Sequence, residues 1–194
     1  MAEHIDKSRL NIDLRYHYDY IAKFLNFTKD DIHTMNTLAP ILFPYIPHIA
    51  EIAYAKLCSF DVTKRCFPVS SDEDTNDSSL DSESVFTPIC SETDVFRDIF
   101  SIYLKRILIQ NEWNDTFIKY LSEMGELYGG KNYCKVVNID YIHLNALIGC
   151  IENIMIETIL KLENFDLKKK RAGVRALNKF FWIQSNLLTI HYSS

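Results

Sequence analysis

At 194 residues, with 47% hydrophobic and 24% charged side chains, the chain is sized for one domain with a sizeable core. A net charge of −5 argues against a surface that tracks nucleic-acid phosphates. The charged N-terminus lacks the apolar stretch of a signal peptide, and no apolar run approaches the roughly 18 residues of a membrane span. A cytoplasmic protein with neither a nucleic-acid nor a membrane partner is therefore expected. The five cysteines (Cys58, Cys66, Cys90, Cys134 and Cys150) are odd in number and lack zinc-site spacing, which favours reduced thiols. Few glycines and prolines beside 13% aromatics favour long packed helices.

Residues 8–25 place Leu10, Leu14, His17, Ile21 and Phe24 at helical spacing and predict an amphipathic first helix. Thr28 and Asp31 form a capping-box variant that opens a second helix running to about Ala39. Pro40, Pro44 and Pro47 then predict a break, because proline is unfavourable inside a helix. Ile49, Ile52, Ala53, Lys56 and Leu57 mark another helix, to about Ser59.

The stretch 66–91 is acidic and Ser-rich and has no Lys or Arg. It cannot bury enough apolar surface to order itself, so it reads as a disordered insert in a helical body. Ser70 and Ser71, just before an acidic triplet, suit an acidophilic kinase, although a solvated spacer accounts for them better.

Helical patterning resumes at 93–110, with a wide apolar stripe through Phe96, Phe100, Tyr103, Leu104, Ile107 and Leu108. A further helix is predicted over 113–128, stopped by Gly129-Gly130. The next, 138–163, is apolar nearly all round, the pattern of a helix buried centrally or against a partner. Asp166 caps the last predicted helix, 167–191, whose first turns carry the cations Lys168 to Arg171 against the helix dipole. No strand-like alternation occurs, and the fold class is all-α.

Enzyme motifs are absent: there is no GxSxG, P-loop, GxGxxG or HExxH. Glu123 and Glu126 share a helix face, but their spacing fits a solvated surface better than acid–base work. His143 shares a helical face with Ala146, Leu147 and Cys150, which places an imidazole in apolar surroundings. It reads either as a core histidine or as a haem or metal contact. Tyr141, two positions earlier, points elsewhere. Tyr54 reads as a core tyrosine from its pattern alone.

Four stretches together resemble the globin-coupled sensor and protoglobin branch of the globins. LAPILFPYIPHIAEIAYAKL (38–57) is similar to the segment that ends in the distal tyrosine, which falls on Tyr54. LKRILIQNEWNDTFIKYLSEMGELY (104–128) is similar to the segment that leads to the proximal histidine, a position held here by Tyr128. VVNIDYIHLNAL resembles the following loop and helix, where a tyrosine approaches the proximal ligand, here Tyr141, and RALNKFFWIQSNLLTIHY resembles the last helix.

The resemblance implies a globin-like helical fold of about seven helices, with an N-terminal extension helix and the acidic loop inserted. It implies haem as cofactor and a diatomic gas, oxygen, bound for sensing or carriage. It further implies a homodimer through 138–163 and 167–191. With no transmitter segment evident, a sensor of this kind acts through that dimer or through a protein partner. The tyrosine at the proximal position changes the chemistry, because a phenolate favours ferric iron and needs a metal or a nearby cation, such as Lys131, to ionise. Three arrangements remain: haem held through Tyr128, haem held through His143 in a shifted register, or a haem-free globin fold used as an interaction and regulatory module.

Overall fold

In the computed structural model, which describes residues 2–66, 92–129, 139–163 and 165–192 (the side chains of 92–94 and 126–129 apart), all regular structure is helical. In chain order the helices are α1 (Lys7–Leu10), α2 (Leu14–Phe24), α3 (Lys29–Leu42), α4 (Ile46–Cys58) and α5 (Asp61–Lys64), then α6 (Glu92–Ile109), α7 (Asp115–Gly129), α8 (Tyr141–Lys161) and α9 (Leu167–Tyr192). The expected disordered insert, apart from Cys66, lies outside the described residues, as do Ser70, Ser71 and Lys131.

The single first helix expected from the sequence is two helices. Asp6 caps α1, and Asp13 caps α2 by accepting from the Tyr16 amide at 3.0 Å. The capping box predicted at Thr28 and Asp31 is present at the start of α3. Pro40 does not end that helix; it sits inside α3, which runs on to Leu42. A single 3-10 turn, Phe43–Tyr45, joins α3 to α4, with Pro44 and Pro47 at helix-opening positions where a missing N–H costs nothing. The short α5 has no periodic signal and was not expected. Asp166 caps α9 as predicted, accepting from the Lys169 amide at 2.8 Å.

α9 is the central element, buried at ten positions from Gly173 to Leu188 and packed against α8, α7, α3 and α2. α6 lies on α4 and α3, and α4 also meets α8. Helix-on-helix packing thus makes one core that runs from Met35 and Leu38 of α3 through Leu104 and Ile107 of α6 to Phe180 and Leu187 of α9. Although α8 is long and apolar enough to cross a membrane, its row Leu144, Leu147, Ile151, Met155 and Ile159 is buried against these neighbours as a core helix.

Gly173 allows a close crossing: a Cβ there would sit 2.8 Å from Leu38 Cδ1 and 3.3 Å from Ile159 Cδ1. The outward side of the α8–α9 pair stays apolar, with Ile142 71% and Trp182 54% exposed.

Candidate functional site

The candidate site lies along α4, α6 and α7, which a continuous ladder of aromatic rings joins. Tyr54 of α4 packs on Phe96 (ring centroids 6.0 Å), which stacks on Phe100 (5.9 Å), followed by Tyr103 (6.2 Å) and Tyr120 of α7 (6.2 Å). Helical spacing accounts for this wall, since Phe96, Phe100 and Tyr103 recur at i, i+4 and i+7 on one face of α6.

Arginines cap the ladder at both ends. The Arg97 guanidinium lies 4.8 Å above the Tyr54 ring and pairs with Glu51, while Arg106 lies 3.9 Å above Tyr120. Burial pushes the Tyr120 phenol above its ordinary range, and Arg106 opposes that shift. Tyr54 is thus half-buried at the α4–α6 contact, with its ring held between Phe96 and Arg97.

α7 is set against α9 by three contacts within two turns. Gln184 donates to the Leu121 carbonyl at 3.0 Å, inside the core. Ser122 Oγ and His191 Nε2 are 2.7 Å apart. Gly125 allows the His191 ring and Leu188 to approach, each within 2.8 Å of where a Cβ would stand. Neither Ser122 nor His191 is visible as a partner in the sequence, where 69 positions separate them. An isolated glycine inside a helical pattern is the one cue to such an approach.

Tyr128 falls in the last turn of α7, and its side chain lies outside the described residues, as does that of Glu126. By register, Tyr128 continues the side of α7 that carries Phe117, Leu121 and Met124, all buried. Glu123 is exposed and pairs with Lys119, as a solvated helix face should.

Tyr141 and His143 diverge, as their two-residue spacing requires. Tyr141 faces α9: its hydroxyl lies 3.4 Å from Ser185 Oγ and its ring 5.4 Å from that of Tyr192. The Tyr192 hydroxyl donates to the Ile139 carbonyl at 2.9 Å. Burial, with the Asp140 carboxylate adding to it, pushes the Tyr192 phenol up to about 12.

His143 points the other way, into a cleft of about 200 Å³ shared with Leu57, Thr63, Leu147 and Cys150. That volume is below the roughly 300 Å³ at which small-molecule pockets begin, and a tetrapyrrole enters it only if α4 and α8 part. The other described histidines are placed elsewhere: His4, His33 and His48 are exposed, His17 Nδ1 lies 2.8 Å from the Leu10 carbonyl oxygen, and His191 meets Ser122. Among the described residues no group of three or more His, Cys, Asp or Glu could hold a metal ion.

The donor chemistry offers haem a phenol in the last turn of α7, at Tyr128, rather than an imidazole. The rings of α6 are packed against one another in the core, so a flat macrocycle lies on them only if the surrounding helices move apart.

A helical core built round one long final helix, with α4, α6 and α7 joined by a row of packed aromatic rings, defines a globin-like all-α protein. The solved globin domain of a Geobacter sulfurreducens globin-coupled sensor is similar, with a TM-score of 0.64 at 15% identity over 91% of this chain and 97% of that one. Residues 14–194 match the protoglobin family, and the chain belongs to it. No curated protein matches the sequence.

Proposed function

We propose that the protein binds haem and, through its iron, a diatomic gas, oxygen first among them, for sensing or carriage. Tyr128 is the axial ligand in this reading and Tyr54 the distal residue. The observation that carries it is the register of α7: Phe117, Leu121 and Met124 are buried, and Tyr128 follows them at the same helical spacing, in a chain that matches protoglobins from residue 14 onward. Haem would supply the iron on which the gas sits. The α4–α6 rings would seat its apolar faces, and Tyr128 would offer a phenolate, which favours ferric iron, so that oxygen binding would require the iron to be reduced first. His143 is the alternative ligand and requires its cleft to open.

Exposed Ile142 of α8 and Trp182 of α9, at the end of the helix pair away from Leu160 and Leu167, support the second half of the proposal, a homodimer through 138–163 and 167–191. The free thiols Cys58, Cys66 and Cys150 are consistent with a cytoplasmic setting.

The test is the ultraviolet–visible spectrum of purified protein during a haemin titration. Saturable uptake with ferric charge-transfer bands, lost in Tyr128→Phe and kept in His143→Ala, is the expected result. The reverse pattern moves the ligand to His143. No saturable uptake by the unaltered chain overturns haem binding and leaves the globin fold as an interaction module for a protein partner.

A further inference from the structure

The corner where α8 ends and α9 begins carries a groove of about 670 Å³, well inside the roughly 300–1,000 Å³ range of small-molecule sites. Its floor is apolar: Leu160, Leu167 and Val174 line it, and Leu160 and Leu167 are 52% and 63% exposed. Its rim is cationic. Lys168, Arg171 and Arg175 line the same groove, and none of the three makes an ion pair among the described residues.

The neighbouring cations are already engaged. Lys161 pairs with Glu157, Lys169 lies over the Phe165 ring, and Lys170 donates to the Leu160 carbonyl at 2.6 Å, which fastens the two helix ends together. Leu167, Arg171 and Arg175 succeed one another at intervals of four along α9, so apolar and cationic side chains share one face.

We propose that this corner binds a single-chain anionic amphiphile, a long-chain aliphatic carboxylate, with its tail on Leu160, Leu167 and Val174 and its head between Arg171 and Arg175. Two guanidinium groups one turn apart match a carboxylate by forked hydrogen bonding, which a lone lysine does not offer. The concavity of the groove suits one chain rather than the flat face of a bilayer. On a chain of net charge −5 the cluster is a local exception that draws an anion to this corner. The groove also lies far from the candidate haem site, because the 19 residues between Tyr141 and Leu160 span about 28 Å of helix.

The full-length protein is titrated with cis-parinaric acid, a long-chain carboxylate whose fluorescence rises in an apolar site. Saturable binding of one molecule per chain is expected, weakened about tenfold or more by the pair R171E and R175E through loss of the charge-assisted bonds. The methyl ester should bind about tenfold more weakly for the same reason. Circular dichroism checks that the variant keeps its helices, and Leu160→Asp gives an independent route to the same loss. Tyr128→Phe should leave the affinity unchanged, which separates this site from the haem reading.

Equal binding of acid and ester, or full binding by both the arginine pair variant and Leu160→Asp, would overturn the proposal. So would protein that ignores the monomeric acid while sedimenting with phosphatidylglycerol vesicles, or binding that disappears as protein concentration drives self-association over this corner.

Discussion

Lys179 of α9 reaches Asp31 of α3 at 2.9 Å and, with the same ammonium group, donates to the Asn26 carbonyl at 2.7 Å. Asp31 is already the carboxylate of the α3 capping box, accepting from the Thr28 amide at 2.8 Å. Asn26 is the one non-glycine among the described residues with positive φ, 52°. One lysine therefore ties the α2–α3 turn and the start of α3 to the central helix. The pair is largely shielded, with side chains 24% and 13% exposed, and lies between the surface and buried cases. Lys179→Met should lower unfolding stability by about 2 kcal/mol, read by urea denaturation. A loss below about 0.5 kcal/mol would mean the pair behaves as a surface contact. Asn26→Gly should stabilise slightly, because glycine takes positive φ without strain.

Gly173 allows a second, graded prediction. Alanine there gains up to about 1 kcal/mol of helix propensity but pushes on Leu38 Cδ1, the far end of a side chain packed in the core. Gly173→Ala should fall within about 1 kcal/mol of the parent. Gly173→Leu has no such escape and should cost about 3 kcal/mol or more by prying α3 from α9. Equal stability of the leucine variant would show that the crossing relaxes, contrary to the packing described above.

Both of these contacts rest on features that differ in how far the sequence discloses them. The Thr28–Asp31 box, the α6 stripe and the shared face of His143, Ala146, Leu147 and Cys150 are local patterns, and the structure carries each of them. The break between α1 and α2 was missed because apolar periodicity runs across Asn11–Asp13, while the aspartate cap that interrupts it is a single residue. Pro40 was read as a helix end, yet its helix continues to Leu42, where Leu38, Ala39 and Leu42 are buried and packing outweighs the lost backbone bond. Ser122–His191 and Gln184–Leu121 join distant positions and depend on how α7 crosses α9, which no periodicity encodes. The candidate site divides in the same way, since Tyr54 and His143 could be placed on faces from spacing but their neighbours could not.

The α7–α9 contact itself is open to test. Gly125→Ala places a methyl group where the His191 ring and Leu188 now stand, at 2.8 Å each. It should cost about 1–3 kcal/mol through overpacking despite the better helix propensity of alanine. Ser122→Ala removes only the bond to His191 and should cost about 1 kcal/mol. Because Gly125 lies one turn before Tyr128, haem-loaded Gly125→Ala should also show a shifted ferric spectrum, while Ser122→Ala should not. An unshifted spectrum in a destabilised Gly125→Ala protein would detach this contact from the axial position.

Alkaline titration tests the buried phenols. Tyr18 and Tyr192 are each pushed up to about 12, chiefly by burial, whereas the unfolded phenol ionises near 10. The folded state therefore holds these protons where the unfolded chain has released them. The stabilisation is complete below the unfolded value and disappears as pH rises from about 10 through about 12. Ultraviolet titration should show Tyr18 and Tyr192 among the phenols that ionise late, together with loss of helix. Tyr192→Phe should remove one late phenol and cost about 1 kcal/mol at neutral pH, through loss of its bond to the Ile139 carbonyl. Early ionisation of all tyrosines in a folded chain would contradict the burial of both rings.

Glu152 supplies the opposite pH sign, at the acid end. It is half-buried, and desolvation raises its carboxyl above the ordinary value while a hydrogen bond from Asn178 at 2.5 Å offsets part of that rise. For a raised acid the folded state binds the proton more readily, so ionised Glu152 detracts from stability above its folded pKa. That penalty fades as pH falls through the carboxylate range. Glu152→Gln keeps the bond to Asn178 and removes the charge, and it should stabilise the fold at pH 7 but not at pH 4. Thermal unfolding at the two pH values measures this. A variant equally stabilised at both would assign the gain to packing rather than to charge.

Tyr54 gives the sharpest check on the proposed gas site. Its ring is held by Phe96 and by the Arg97 guanidinium, contacts that phenylalanine would keep. Tyr54→Phe should therefore keep the ring contacts and lower stability by no more than about 1 kcal/mol, one hydrogen bond. If the hydroxyl bonds an iron-held gas, its loss removes about 1 kcal/mol from the bound state and speeds gas release roughly fivefold to tenfold. Stopped-flow displacement on haem-loaded, reduced protein reads that rate. Unchanged release with unchanged stability would leave Tyr54 as a packing residue of the α4–α6 contact, and the distal role would have to pass to another group on the same wall, Tyr103 of α6 being the buried phenol nearest in the ladder.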